Sequence, residues 1–290
     1  MLDLKGKVAV ITGGAGGVGF ALARALAGEG TRIAIADIDQ AAIDASVNEL
    51  KKSGCDVIGV KTDVTKQESV DELADAVFAK FGNVHLLFNN AGVGLGEAQR
   101  RIWTLPVKDW QWGFAVNVMG IVHGIRAFVP RMLEKGEDGT VINTSSANGG
   151  LFSLPTTPIY AATKAAVTSI TEVLHYQFLM DKAKLKAAIL FPGPNVVNTR
   201  ILDSNRNRPA EFSDGSDNKP HTYKSMRELV EATGLKMQLT EPEDVASFAV
   251  ESVKADRFWM LPDSSAHDAA IRGRAETIVG RNGLALPNMG

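Results

Sequence analysis

The chain reads as one α/β domain: a parallel sheet of about seven strands with helices on both faces, doubly wound into three α/β/α layers. Three observations carry this. Short apolar, β-branched runs alternate with amphipathic segments of helical length. The runs are apolar along their whole length, as in strands covered on both faces. They also recur from Val8 to Leu261 with no linker between them, so 1–290 is taken as a single domain.

The first strand, Val8–Ile11, leads straight into TGGAGGVG, Thr12 to Gly19. A helix over Gly17–Ala27 follows, with Val18, Leu22 and Leu26 at intervals of four. Glycines at a strand-to-helix turn allow tight backbone geometry. They also let phosphate oxygens reach the free N–H groups and the positive dipole end of the helix. The second strand, Ile33–Ala36, ends at Asp37. A carboxylate there accepts hydrogen bonds from adenosine ribose hydroxyls and repels a 2′-phosphate. No lysine or arginine lies within the glycine loop or beside Asp37, so the pattern favours NAD over NADP. A helix-cap or turn aspartate is the competing reading.

The remaining strands are Val57–Val60, His85–Phe88, Thr140–Asn143, Ala187–Phe191 and Phe258–Leu261. Several are followed by short polar or glycine-bearing segments: TDV at Thr62–Val64, NNAG at Asn89–Gly92, NTSS at Asn143–Ser146 and PGP at Pro192–Pro194. After the fifth strand, YAATKAAV (Tyr160–Val167) opens a helix that stacks Tyr160 and Lys164 on one face, a turn apart. Residues 203–224 are polar, rich in Asn, Asp and Ser, and broken by Pro209 and Pro220. A structureless insertion of that length suggests a substrate lid. Beyond it, Met226, Leu229, Val230 and Thr233 mark an amphipathic helix, TEPE at Thr240–Glu243 reads as a capping box, and 263–290 form a C-terminal extension.

Composition removes several classes. Hydrophobic residues are 45% and charged residues 22%, and the formal net charge is -2, so no basic excess points to nucleic acid. The N-terminal residues lack signal-peptide order, and no apolar run approaches the roughly 20 residues of a membrane span. The expectation is a cytoplasmic protein. A single cysteine, Cys55, agrees with a reducing compartment and reads as a small packed or idle residue. No two of the five histidines share metal-ligand spacing, so no metal site is expected.

The glycine pattern is TGxxxGxG, on Thr12, Gly13, Gly17 and Gly19. Taken with NNAG, NTSS and YxxxK, it resembles the short-chain dehydrogenase/reductase family over roughly Leu4 to Leu261. The resemblance implies a Rossmann-type fold and an NAD-dependent interconversion of a secondary alcohol and a ketone. Gly13, Gly17, Val18 and Gly19 would line the cofactor pyrophosphate. Asp63 and Val64 would flank the adenine, Asn90 would border the adenosine ribose, and Pro192 and Gly193 would pass the nicotinamide. Asn117, Ser146, Tyr160 and Lys164 match the catalytic set. The family also implies a homodimer or homotetramer through the helices around Trp110–Pro130 and Tyr160–Leu179.

Two departures stand out. Ser146 lies 14 residues before Tyr160 with Ser145 beside it; Ser146 fits the family's S-x-x-G, ending at Gly149. The usual PGxVxT is here PGPNVVNT, which leaves the role of Thr199 open. The stretch GPNVVNTRILDSNRNRPAEF (Gly193–Phe212) is further similar to bacterial Cα-dehydrogenases of lignin-derived aryl ethers, implying a bulky or aromatic alcohol.

The chemistry follows from the residue types. A free tyrosine, with a pKa near 10, is a poor base near neutrality. A neighbouring ammonium favours its phenolate, and Lys164 is placed to supply one. Lys164 would also reach the nicotinamide ribose hydroxyls. Ser146 can hydrogen-bond the substrate oxygen and steady its developing charge. A non-catalytic dinucleotide sensor would need no such relay, and a sugar-nucleotide epimerase would need more chain for its substrate domain.

Overall fold

Four βα units and a fifth strand run β1 (Val8–Thr12), α1 (Gly17–Gly28), β2 (Arg32–Asp37), α2 (Gln40–Lys52), β3 (Val57–Lys61), α3 (Gln67–Phe81), β4 (Leu86–Asn89), α4 (Val107–Phe114), α5 (Gly120–Lys135) and β5 (Gly139–Thr144). The chain continues through α6 (Ala147–Gly150), α7 (Pro158–Met180), β6 (Leu185–Leu190), β7 (Val196–Val197), α8 (Met226–Thr233), β8 (Leu239–Thr240), α9 (Pro242–Lys254), β9 (Trp259–Met260) and α10 (Ser265–Gly280). The computed structural model describes residues 3–98, 100–213 and 223–286.

Seven strands form one parallel sheet in the order β3-β2-β1-β4-β5-β6-β9; β7 and β8 pair separately. Every expected strand is present, its ends shifted by at most two residues. Alternate strand residues face opposite layers. Ala9, Ile11, Ile33, Ile35, Phe88 and Ile142 pack with Leu22 and Leu26 of α1 and Val245 and Ala249 of α9. Val8, Val10, Ala34, Leu87 and Val141 pack with Leu73 of α3, Phe128 of α5 and Leu174 of α7. Both faces are thus covered, which explains why the strands are apolar throughout.

The helix from α4 to α5 is continuous, joined by one wide π turn at Ala115–Met119. By length and composition alone the Val107–Lys135 stretch could cross a membrane, although its uncharged run, 110–125, is shorter than the roughly 20 residues of a span. Most of its apolar side chains, including Trp112, Ile121 and Phe128, are instead buried within the domain, while Val107, Met119 and Leu133 are exposed.

Two local expectations change. Thr240 and Glu243 do not form a capping box. The N-cap of α9 is Glu241, whose side chain makes no cap bond, and Thr240 Oγ1 accepts from the Asn195 N–H at 3.1 Å. Pro242 at the first helical position starts the helix instead. The polar insertion also has structure: 3-10 turns cover Ile201–Asn207 and Ala210–Phe212. These turns use local bonds such as Ser204 Oγ to the Ile201 carbonyl, 2.7 Å, and leave no apolar periodicity in the sequence. Arg208 anchors the segment through a buried ion pair with Asp109 on α4, 2.8 Å, and lies over the Trp112 ring at 4.9 Å. Residues 214–222 of the expected lid lie outside the described residues.

Candidate active site

The strand order places a crevice outside the carboxyl ends of β1 and β4, where the chain turns to opposite halves of the sheet. Thr12 closes its floor. Its Oγ1 accepts the Asn90 and Ala91 N–H groups at 3.0 and 3.1 Å, and its carbonyl accepts Asn90 Nδ2 at 3.1 Å. Gly13 and Gly17 hold positive φ, 63° and 50°. A Cβ on Gly19 would overlap the Gly13 carbonyl, so the loop packs on itself only without side chains. The N-cap of α1, Gly16, makes no side-chain bond, leaving the first N–H groups of the helix for a ligand. Val18 is partly buried against the α1 core.

Asp37 stands beside this loop. Its two carboxylate oxygens accept the Ala15 and Asp39 N–H groups, each at 3.2 Å. The cap of α2 is Asp39, which accepts from the Ala42 N–H, so Asp37 is not a helix cap. The linear sequence missed Arg206: the insertion folds back and brings this exposed guanidinium within electrostatic reach of Asp37 and Asp39. Asp63 binds its own turn, accepting the Thr65 N–H and hydroxyl at 2.9 and 2.7 Å, and the Val64 carbonyl accepts from His123 Nδ1 at 2.8 Å. A tight glycine turn, an uncapped helix end and a braced carboxylate at the switch point fit a dinucleotide.

At the other end of the crevice lie the β5 and α7 residues. The Ser146 hydroxyl lies near enough to the Tyr160 phenol to favour its ionised form. Ser145, in contrast, is buried and committed to the α7 backbone: its hydroxyl donates to the Lys164 carbonyl at 3.0 Å and meets Thr168 Oγ1 at 2.9 Å. Gly149 is held at φ 93°, and a Cβ there would overlap the Ala161 carbonyl. The S-x-x-G spacing therefore lets the serine loop sit directly on α7. Lys164 Nζ lies 5.5 Å from the Tyr160 ring centroid and donates to the Thr144 carbonyl at 2.8 Å. Asn117, fully buried in the π turn, accepts the Val93 N–H at 2.8 Å and donates to the Val93 carbonyl and Thr163 Oγ1, both at 3.2 Å. Asn117 Oδ1 and Lys164 Nζ converge on Gly92, within 3.4 and 3.8 Å of the place a Cβ would take.

The expected lowering of the phenol pKa by Lys164 is not realised here. Burial raises Tyr160 above its ordinary value, partly offset by the nearby Ser146 hydroxyl. Burial also lowers Lys164 to about 8. The two groups share poorly solvated surroundings, and desolvation is the largest influence on each. Burial likewise raises the Cys55 thiol, which contacts the Thr31 carbonyl.

Pro192 and Gly193 leave β6 beside the site. Thr199, whose role the shifted motif left open, brings its methyl within 3.3 Å of the Cβ position of Gly17. The C-terminal extension folds back over the serine loop. His267 packs on Phe152, ring centroids 5.6 Å apart, and Arg274 donates to the Leu151 carbonyl at 2.7 Å. Neither His267 nor Glu97, which binds the start of α7, carries a local sequence signal; both act through contacts distant in sequence.

Comparison with known proteins agrees with this geometry. The chain is 32% identical over 282 residues to a CLA biosynthesis dehydrogenase/reductase of Lactiplantibacillus plantarum, covering 96% of this chain and 95% of the relative. It is 30% identical over 266 residues to a C alpha-dehydrogenase of Sphingobium sp., covering 90% and 82%. A short chain dehydrogenase/reductase from Burkholderia phymatum, solved in complex with NAD, superposes with a TM-score of 0.87 at 37% identity, covering 100% of this chain and 99% of that one. With the short chain dehydrogenase family model matching residues 7–209, the chain belongs to that family of nicotinamide-dependent oxidoreductases.

Proposed function

We propose that the protein is an NAD-dependent dehydrogenase that interconverts a bulky secondary alcohol and its ketone. The observation that carries this is the Ser146–Tyr160–Lys164 cluster at one end of a crevice whose other end holds the glycine loop and Asp37. Gly13, Gly17, Val18 and Gly19 would hold the pyrophosphate, Asp37 and Asn90 the adenosine ribose, Asp63 and Val64 the adenine, and Pro192 and Gly193 the nicotinamide side. When bound, the nicotinamide supplies the hydride acceptor.

Tyr160 takes the hydroxyl proton during oxidation and returns it during reduction. Ser146 donates a hydrogen bond to the substrate oxygen as charge develops there. Lys164, when protonated, lowers the cost of the phenolate, and Asn117 fixes the loop that carries Gly92 against α7. A bulky or aromatic substrate is supported by Phe152 and His267 at the serine loop and by the C alpha-dehydrogenase among the relatives. Asp37 supports NAD over NADP. Exposed Met119, Leu133, Val173, Tyr176, Leu179 and Met180 on the α5 and α7 faces support a homodimer or homotetramer.

An NAD-reduction screen of benzylic, alicyclic and steroid secondary alcohols tests the reading. At least one bulky class should turn over, and Tyr160→Phe should lose nearly all turnover while still binding NADH. Rapid turnover of only short aliphatic alcohols refutes the bulky substrate; substantial turnover by Tyr160→Phe refutes the acid/base assignment.

A further inference from the structure

We infer that Glu97 is a positioning residue for Tyr160, a carboxylate from the β4–α4 loop that sets the first turn of the catalytic helix. This rests on the proposed role of Tyr160. Glu97 is only 2% exposed. Its Oε2 accepts the Ile159 N–H at 2.7 Å and its Oε1 accepts the Tyr160 N–H at 2.8 Å.

The helix cannot cap itself. Its N-cap residue, Thr157, makes no side-chain cap bond, because its hydroxyl accepts Asn148 Nδ2 of the serine loop at 2.7 Å. Pro158 has no N–H, and the Ala161 N–H reaches the Thr157 carbonyl at 2.9 Å. The two remaining orphan donors of the first turn, at Ile159 and Tyr160, are the two that Glu97 takes. A negative group here also complements the dipole of a 23-residue helix.

A local Ser or Thr cap would meet one of these needs without burying a carboxylate. What Glu97 adds is a tie between two walls of the site. The loop it leaves begins with Asn89–Gly92 at the floor of the crevice, and the backbone it holds is that of Tyr160 itself. With Asn148 binding Thr157, the serine loop, the crevice floor and the tyrosine are locked to one helix turn. Proton transfer needs the phenol placed to within a fraction of an ångström, and an error near 1 Å costs about 10²-fold in rate.

The test compares Glu97→Ala, Glu97→Gln and Tyr160→Phe with the intact protein, using the alcohol of highest turnover in the NAD-reduction screen. Glu97→Ala should lower kcat by about 10²-fold. Glu97→Gln keeps one acceptor oxygen but turns an amide NH2 towards the second N–H, so it should fall between. NADH affinity, read by fluorescence titration, should stay within about twofold in both, because the glycine loop and Asp37 are untouched. Unchanged kcat in Glu97→Ala overturns the inference, as does a parallel loss of kcat and NADH affinity, which would mark general loosening. If Glu97→Ala does not fold, Glu97→Gln decides by the same two readouts. An active Tyr160→Phe sinks the proposed function; an inactive Tyr160→Phe beside a fully active Glu97→Ala sinks only the role of Glu97.

Discussion

Replacing Lys164 with Met should change stability in opposite directions at neutral and alkaline pH. Lys164 is 3% exposed, and burial lowers it from 10.5 to about 8. At 1.36 kcal/mol per pKa unit, keeping the ammonium charged in the fold at pH 7 costs about 3 kcal/mol. The sign follows from proton counting. Between about pH 8 and 10.5 the unfolded chain binds more protons than the folded one, so native stability rises with pH across that window. Below pH 8 both states are protonated and the full cost remains. Methionine removes the charge and keeps the apolar stem, but leaves the Thr144 carbonyl without its 2.8 Å partner. That orphaned acceptor costs about 1–3 kcal/mol. Lys164→Met should therefore be about 0–2 kcal/mol more stable than the parent at pH 7. By pH 10 about 2 kcal/mol of the ammonium cost has been released in the parent, so the variant should become the less stable protein or lose its lead. Urea denaturation of both proteins at pH 7, 8, 9 and 10 measures this, and taking the difference removes other titrating groups. A difference independent of pH would show that Lys164 is not desolvated, and the reasoning would fail. The variant should also lose turnover at every pH, which separates its stability from its function.

Gly149→Ala should keep NADH binding but lose turnover by more than about tenfold, because the new methyl must displace the serine loop from the Ala161 carbonyl. Full turnover in this variant, measured by NADH absorbance, would show that loop contact does not place Ser146. Asp37→Ser should weaken NAD binding by about tenfold and raise the kcat/KM for NADP relative to NAD, since the repelling carboxylate is gone while Arg206 remains within reach. An unchanged cofactor ratio would remove Asp37 from the ribose site.

Motifs whose parts lie close in sequence were legible because local rules govern them. The glycine turn needs positive φ and bare Cα atoms at fixed spacing, so Gly13, Gly17 and Gly19 announce it. Tyr160 and Lys164 share a face because they are four apart on a helix. The choice of Ser146 over Ser145 was legible through Gly149, whose missing side chain lets the loop touch α7. By contrast, TEPE looked like a cap and is not one, because Pro242 starts the helix and Thr240 is engaged by Asn195.

By itself, then, the sequence determined the sheet, its two covered faces and the glycine turn into α1, since periodicity, glycine conformation and helical spacing are properties of neighbouring residues. Only the tertiary structure decided which groups answer one another across the crevice. It set Glu97 on the backbone of Tyr160, Arg206 near Asp37, His267 on Phe152 and Arg208 against Asp109. It also raised the tyrosine where a lowering was expected, because burial desolvates the phenol. Burial and long-range contact depend on how distant segments pack, and no local pattern in the chain encodes them.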